Sequence, residues 1–322
     1  MGEDDLLERL RSEVSGEIFA GARLAAHTTL RVGGPAAALV RASSGEDLAA
    51  VAGICAELGR GWLIVGRGSN LLIADEGWPG VAVMLGRGFR GVQVDGESVT
   101  AGAAEPMPVL AREVARRQLG GLAFGVAIPG SLGGAVRMNA GAHGRELADV
   151  LEWAEAARLA SGGRIQRFDR AQIDMGYRTT SLPSDAVVVR ARLRLRRADP
   201  DTVAAEMDEM RRWRRAHQPI SEPSCGSVFR NPPGDSAGRL IDEAGMKGHR
   251  VGGAQVSKVH ANFITTSPPV TASDVRQVID DVQRAVRERH GVELVPEVVM
   301  EGFEESADAP ARGGGMPHGT SS

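Results

Sequence analysis

The segment from Gly125 to Gly144 constrains this chain more than any other. It holds Gly125, Gly130, Gly133, Gly134, Gly141 and Gly144, with Pro129 among them. Glycine in a helix interior costs about 1 kcal/mol relative to alanine. The segment therefore predicts no ordinary helix, and a backbone committed to tight turns and close approach. A shorter glycine turn, Gly66-Arg67-Gly68-Ser69-Asn70, follows the apolar run Trp62-Leu63-Ile64-Val65. It can aim several amides into one concavity, and Ser69 and Asn70 add side-chain donors, which suits an oxyanion such as a pyrophosphate. A Rossmann cradle needs a third glycine and a helix directly after the loop. Leu71-Leu72-Ile73 follows instead, so the reading is strand, loop, strand.

Composition agrees with a globular chain built around such turns. Glycine supplies 42 of 322 residues, well above the average of about 7%. Apolar residues at 42% and charged residues at 25% describe ordinary compact domains, two or three at this length. A net charge of -3 gives no electrostatic footprint for nucleic acid. No apolar run approaches a membrane span, and Met1-Gly2-Glu3-Asp4-Asp5 lacks the basic start of a signal peptide, so a cytoplasmic protein without membrane insertion is expected. Cys55 and Cys225 are then expected as free thiols. The histidines and cysteines show no ligand spacing, so no metal site is expected.

Periodicity places helices over Asp4 to Glu17, after Ser44 up to Gly59, over Pro106 to Leu119 with Leu110, Val114 and Val109 turned inward, and from Val203 through Trp213. The best helix runs from a Ser273 cap to His290, with Val275, Val278, Ile279, Val282 and Val286 as its stripe and Gly291 at its end. Strands are expected over Val81 to Leu85, in a hairpin around Asp95-Gly96-Glu97, and over Ala186 to Arg196, whose alternating arginines read as a solvated face. The Ala198-Asp199-Pro200 stretch reads as a domain junction. Residues 304–322 are low in complexity and expected to be disordered.

Several motifs occur together in one order: Thr28-Thr29-Leu30-Arg31-Val32-Gly33-Gly34-Pro35, Gly66-Arg67-Gly68-Ser69-Asn70-Leu71-Leu72, Ile128-Pro129-Gly130-Ser131 through Asn139-Ala140-Gly141-Ala142, Gly176-Tyr177-Arg178, Gly226-Ser227-Val228-Phe229-Arg230-Asn231-Pro232, and Pro296-Glu297-Val298. From Thr28 to Gly302 the chain resembles the UDP-N-acetylenolpyruvoylglucosamine reductases of bacterial peptidoglycan synthesis, in their shorter branch. The resemblance implies an α+β fold: an FAD-binding domain of the vanillyl-alcohol-oxidase (PCMH) type in two subdomains, then an α+β substrate domain. The bounds expected are an N-terminal helical segment 1–22, an FAD-binding domain 23–198 (subdomains about 23–88 and 89–198), a C-terminal domain 199–303 and the tail 304–322.

The resemblance also implies chemistry. NADPH reduces FAD, which reduces the enolpyruvyl group of UDP-N-acetylenolpyruvoylglucosamine to give UDP-N-acetylmuramate. Arg178 matches the residue that stabilises the enolate, Ser227 the proton donor and Glu297 the catalytic glutamate. FAD is expected against Arg31, Gly33, Gly34 and Pro35; against Val65, Gly66, Arg67, Gly68, Ser69, Asn70 and Leu71; and against Pro129, Gly130, Ser131, Gly133, Gly134, Ala135, Asn139 and Gly141. Tyr177, His217, Asn231, His260 and Asn262 are the substrate-contact candidates. Arg137 and His143 stand where aromatics are common in the flavin loop. No protein partner is implied, and a monomer is expected. The competing readings are another FAD-linked oxidoreductase of this fold acting on a small alcohol or hydroxy acid, and a non-catalytic UDP-sugar-binding protein.

Overall fold

The computed structural model describes residues 3–303; the expected tail lies outside the described residues. Among the described residues the seven α-helices are α1 (Glu3–Glu13), α2 (Gly45–Glu57), α3 (Met107–Arg116), α4 (Leu132–Arg137), α5 (Pro200–His217), α6 (Ala237–Glu243) and α7 (Ala272–His290). Three main sheets lie among them, a mixed α+β architecture.

The first sheet orders Glu17–Ala20, Ala36–Ala42, Trp78–Leu85 and Trp62–Ile64, the last three mutually parallel. Helix α2 packs on it through Leu48, Val51, Ala52 and Cys55, in one core with Leu6 and Leu10 of α1. Ser44 caps α2 by accepting from the Asp47 amide at 3.3 Å. The first helix stops at Glu13, short of Glu17, because the chain turns there to add the edge strand.

The second sheet is antiparallel: Arg164–Asp169, Leu151–Arg158, Ala186–Arg194, Ser98–Gly102 and Val92–Asp95. The Gly96 hairpin joins the last two, with φ 61 at the glycine. The alternating arginines of Ala186–Arg194 face outward as expected and pair with carboxylates, Arg190 with Glu155 at 2.7 Å and Arg192 with Glu152 at 3.0 Å. Helix α3 ends at Arg116, since Gln118 turns left-handed (φ 60) and Leu119–Gly120 pairs with Arg196–Arg197. Val109 points outward at 44% exposure, against the inward expectation.

The glycine segment holds a surprise: it contains the single-turn helix α4. A Cβ on Gly133 would sit 2.9 Å from the Ala103 Cβ, and the Gly133 amide donates to the Ala103 carbonyl at 2.9 Å. Tertiary contact with the turn just past the strand Ser98–Gly102, available only to glycine, overrides the poor local propensity.

Helix α5, expected to open the C-terminal domain, packs its Val203, Met207 and Met210 into the core built by Leu119, Leu122 and Phe124. By packing it belongs with the second sheet. Trp213, expected on the same stripe, is 45% exposed.

The third sheet, antiparallel, orders Ser224–Ser227, Phe263–Thr266, Ala254–Val256 and Arg250–Val251, and α7 lies on it. The stripe Val275, Val278, Ile279, Val282 and Val286 is wholly buried, at about 1.5–3 kcal/mol per side chain. The cap is Thr271 in a capping box with Asp274, not Ser273. Ser273 serves another purpose: its amide and hydroxyl donate to Asp75 at 2.9 and 2.7 Å, as the Ala272 amide does at 2.7 Å.

The chain then returns. Val299–Glu301 pairs in parallel with Leu71–Ile73, the strand directly after the short glycine turn. Leu30, Val32 and Leu72 are buried in the same core as α6 and α7, and the Thr266 hydroxyl donates to the Leu30 carbonyl at 2.7 Å. This return sets the third sheet against both glycine loops.

Candidate active site

The two glycine segments meet. Arg67 Nε donates to the Pro129 carbonyl at 2.9 Å, and a Cβ on Gly66 would lie 3.2 Å from Ser131 Oγ. Gly68 is left-handed (φ 61), and a Cβ there would collide with the His27 carbonyl; Thr29 N donates to Gly68 O at 3.0 Å. The loop is thus fixed from below by the Thr28-Thr29 segment while its upper side faces a cavity of about 420 Å³, within the usual range for ligand sites. Val65, Gly66, Arg67, Ser131, Gly133 and Gly134 all line it.

Of the rest of the wall, the sequence singles out Arg137 alone among the charged groups. Arg90 and Arg137 bring guanidiniums, His27 an imidazole, and Trp62, Met84 and Leu85 an apolar surface; among the described residues no Asp or Glu lines the cavity. Cationic groups beside flat apolar surface fit a pyrophosphate joined to aromatic rings, which is the chemistry of FAD. Burial lowers the Arg137 pKa, and the group donates to the Leu182 and Pro183 carbonyls at 2.9 and 2.7 Å. Trp62 could have been suspected from its place on the strand before the loop. Arg90 carried no signal.

Other expected cofactor contacts also hold the fold together. The Gly34 amide donates to Ala74 O at 2.8 Å, Pro35 O accepts from Trp78 N at 2.9 Å, and a Cβ on Gly34 would strike the Asp75 carbonyl. Arg31 (φ 57) and Gly33 (φ 127) are left-handed turns in this same packing, off the cavity wall. Ala135 is in the apolar core. Asn139 is wholly buried; its Nδ2 donates to Gly176 O and its Oδ1 accepts from Ala148 N, both at 2.9 Å. It holds the Tyr177-Arg178 turn in place.

That turn presents Arg178 with φ 56, between the short strands Met175–Gly176 and Thr179–Thr180. Arg178 Nε lies 3.2 Å from Glu297 Oε1, and its Nη2 donates to Gly141 O at 2.9 Å. Its guanidinium also sits 5.0 Å from the centre of the half-exposed Tyr177 ring. The Glu297 side chain is 15% exposed. Burial raises its pKa above the ordinary value, and the Arg178 and Arg230 charges offset that only in part. The Glu297 carbonyl accepts from Asn70 Nδ2 at 3.0 Å, so one side chain ties the glycine loop to the carboxylate's backbone.

Ser227 ends its strand beside Gly226 (φ 80). The next residue, Val228, offers its carbonyl to Glu297 N at 2.7 Å and its amide to Asn262 O at 2.9 Å. Arg178, Ser227 and Glu297, each from a different part of the chain, thus share one neighbourhood. Burial pushes the neighbouring Cys225 thiol up to about 12, which keeps it protonated and inert.

The substrate-contact candidates divide. Asn262 is buried, and its amide both donates to Phe229 O at 2.8 Å and accepts from Phe229 N at 2.9 Å. It therefore positions the Ser227 strand. Asn231 Oδ1 accepts from Ala237 N at 3.0 Å, supporting the start of α6. His260 Nδ1 is 3.2 Å from Asn262 N, and burial lowers its pKa. His217 stacks on Trp213 at 4.6 Å, and His143 of the flavin loop meets that indole in a T-shaped contact at 5.3 Å. Among the described residues no helix is long and apolar enough to cross a membrane, and no His, Cys, Asp or Glu cluster could hold a metal ion.

Comparisons with known proteins follow this layout. Residues 36–169 match the FAD binding domain family, and residues 218–301 match the C-terminal domain of UDP-N-acetylenolpyruvoylglucosamine reductase, starting one residue past α5. The UDP-N-acetylenolpyruvoylglucosamine reductase of Bacillus subtilis is 37% identical over 301 residues, covering 93% of this chain and 99% of that protein. Its counterpart in Heliobacterium modesticaldum is 45% identical over 274 residues, 84% of this chain and 87% of that one. The crystal structure of the Thermus caldophilus reductase superposes with a TM-score of 0.76 at 36% identity, covering 88% of this chain and 98% of that one.

Proposed function

The chain belongs to the UDP-N-acetylenolpyruvoylglucosamine reductase family, and from that premise we propose that Arg178, Glu297 and Ser227 carry its reaction, with NADPH as the hydride donor. It is an FAD-dependent oxidoreductase that reduces UDP-N-acetylenolpyruvoylglucosamine to UDP-N-acetylmuramate. Arg67, Arg90 and Arg137 with the Gly66 turn and the Gly133-Gly134 face of α4 are the residues suited to hold FAD. Bound there, FAD supplies hydride transfer.

Hydride arriving at the terminal carbon of the enolpyruvyl ether sends an electron pair toward the adjacent carboxylate, as an enolate. Arg178 meets that charge with a fixed guanidinium. A protonated Glu297 donates a hydrogen bond to the same oxygen, which its raised pKa favours. Ser227 gives its proton to the carbon that bears the ether oxygen, so that one hydride and one proton have been added across the double bond. The observation carrying this reading is the Arg178–Glu297 contact at 3.2 Å, tied by Asn70 to the glycine loop. The expected site of action is the cytoplasm, as a monomer.

In anaerobic stopped flow, Ser227→Ala should still let NADPH bleach the flavin absorbance. Recovery on adding the enolpyruvyl substrate should slow by about 100- to 10,000-fold. Recovery at the wild-type rate would remove Ser227 from the chemistry.

A further inference from the structure

Phe229 pairs with Pro296 in an antiparallel bridge. On either side the Arg230 amide donates to Val295 O at 2.9 Å and the Glu297 amide to Val228 O at 2.7 Å. Side chains alternate along paired extended segments, so Val228, Arg230, Val295 and Glu297 share the face opposite Phe229 and Pro296. Arg230 and Glu297 are diagonal neighbours there, with backbones about 7–8 Å apart, within reach of a long side chain. The Arg230 Nε is nevertheless buried with no hydrogen-bond partner among the described residues. A buried donor left unpaired costs about 1–3 kcal/mol, and a guanidinium cannot shed its charge to avoid that cost.

Two of the Arg178 nitrogens are already engaged. Its Nε is given to Glu297 and its Nη2 to Gly141 O. When Glu297 is ionised, these two charges cancel, and Arg230 is what keeps this face positive. The Arg230 charge already bears on Glu297, lowering a pKa that burial raises.

We propose that Arg230 is a second substrate-binding cation, meeting the enolpyruvyl carboxylate while Arg178 is held by Glu297 and Gly141. The proposal rests on the functional reading above. It gives the developing enolate two guanidiniums from separate segments, one anchored to the flavin loop and one to the serine strand.

The test uses FAD-loaded Arg230→Met and Arg230→Lys. Both should keep the wild-type flavin spectrum and the wild-type rate of bleaching by NADPH. Recovery by the enolpyruvyl substrate should slow by about 100-fold in R230M, the loss typical of one transition-state donor, and by about 10-fold in R230K, which keeps the charge without the planar fork. UDP alone, which lacks the carboxylate, should bind R230M as tightly as wild type. Recovery within about twofold of wild type in R230M, or an equal loss of UDP affinity, overturns the assignment; for reference, a true donor contact is worth far more than twofold. Should R230M fail to hold FAD, the R230K recovery rate decides alone, and an unchanged rate overturns it. If the wild-type enzyme is itself not reoxidised by the enolpyruvyl substrate, the functional reading falls, and this assignment with it.

Discussion

Glu297 sits between opposed forces, and the outcome is chemically useful. Burial favours its neutral form while Arg178 and Arg230 favour the anion, and burial prevails. If the neutral form is the working one, substrate-driven flavin recovery should fall as pH rises through the raised Glu297 value. Glu297→Gln, which keeps a neutral donor, should flatten that limb, whereas Glu297→Ala should lose about 100-fold across the range. A pH profile of the recovery rate checks this, and an unchanged limb in E297Q would assign it to another group. The stability sign runs the same way. The folded state holds the proton above the ordinary glutamate value, so the contribution of Glu297 is favourable at low pH and is lost as pH rises from that value to the raised one. Sequence alone could nominate Glu297, Arg178 and Ser227 only through their motifs, since nothing local marks them. Arg230 stood inside one of those motifs and stayed silent, because its meaning depends on a bridge to Pro296 far along the chain.

Elements were legible where one local rule decides them. The α7 stripe and its Gly291 end followed from periodicity, and the absence of a helix after Asn70 followed from the apolar run there. Misreadings arose where a distant partner decides: α4 forms because Gly133 can press on Ala103, and α5 joins the second sheet because its stripe finds Leu119 and Phe124. The start of α7 is a further case. Its first amides are taken by Asp75, a residue just past the short glycine turn. Burial raises the Asp75 pKa, but the bonds from Ala272 and Ser273 outweigh it, and the net shift is downward. A carboxylate lowered by folding stabilises above its ordinary value, and that contribution is lost as pH falls through the lowered one. Asp75→Asn should therefore destabilise at neutral pH by about 1 kcal/mol, a capping-scale loss reduced by the solvent reaching this site. The gap from wild type should close below about pH 4, near the ordinary aspartate value. Urea melts at the two pH values decide it, and an equal gap at both would mean the bonds do not depend on the charge.

At the scale of the whole molecule, the functional unit is made by the return of the chain's end to its beginning. Val299–Glu301 lies beside Leu71–Ile73, Val299 N donates to Asn70 O at 3.1 Å, and Ala74 N donates to Glu301 O at 2.9 Å. Composition and periodicity could give two glycine loops and a separate C-terminal domain, but not this pairing, because a three-residue strand carries no long-range address. Its consequence is mechanical coupling: the backbone that carries Glu297 is hydrogen-bonded to the loop that faces the cofactor cavity. Val299→Pro tests the coupling, since proline removes the donor to Asn70 and disfavours the paired strand. FAD retention during gel filtration and substrate-driven recovery should both decline in this one variant, although Val299 does not line the cavity. Restoring FAD to saturation should rescue the spectrum but not the full recovery rate, because Glu297 is then held on one side only. Full rescue by FAD would show that the strand serves cofactor retention alone. Loss of rate with normal FAD retention would show that the glycine loop stands without it.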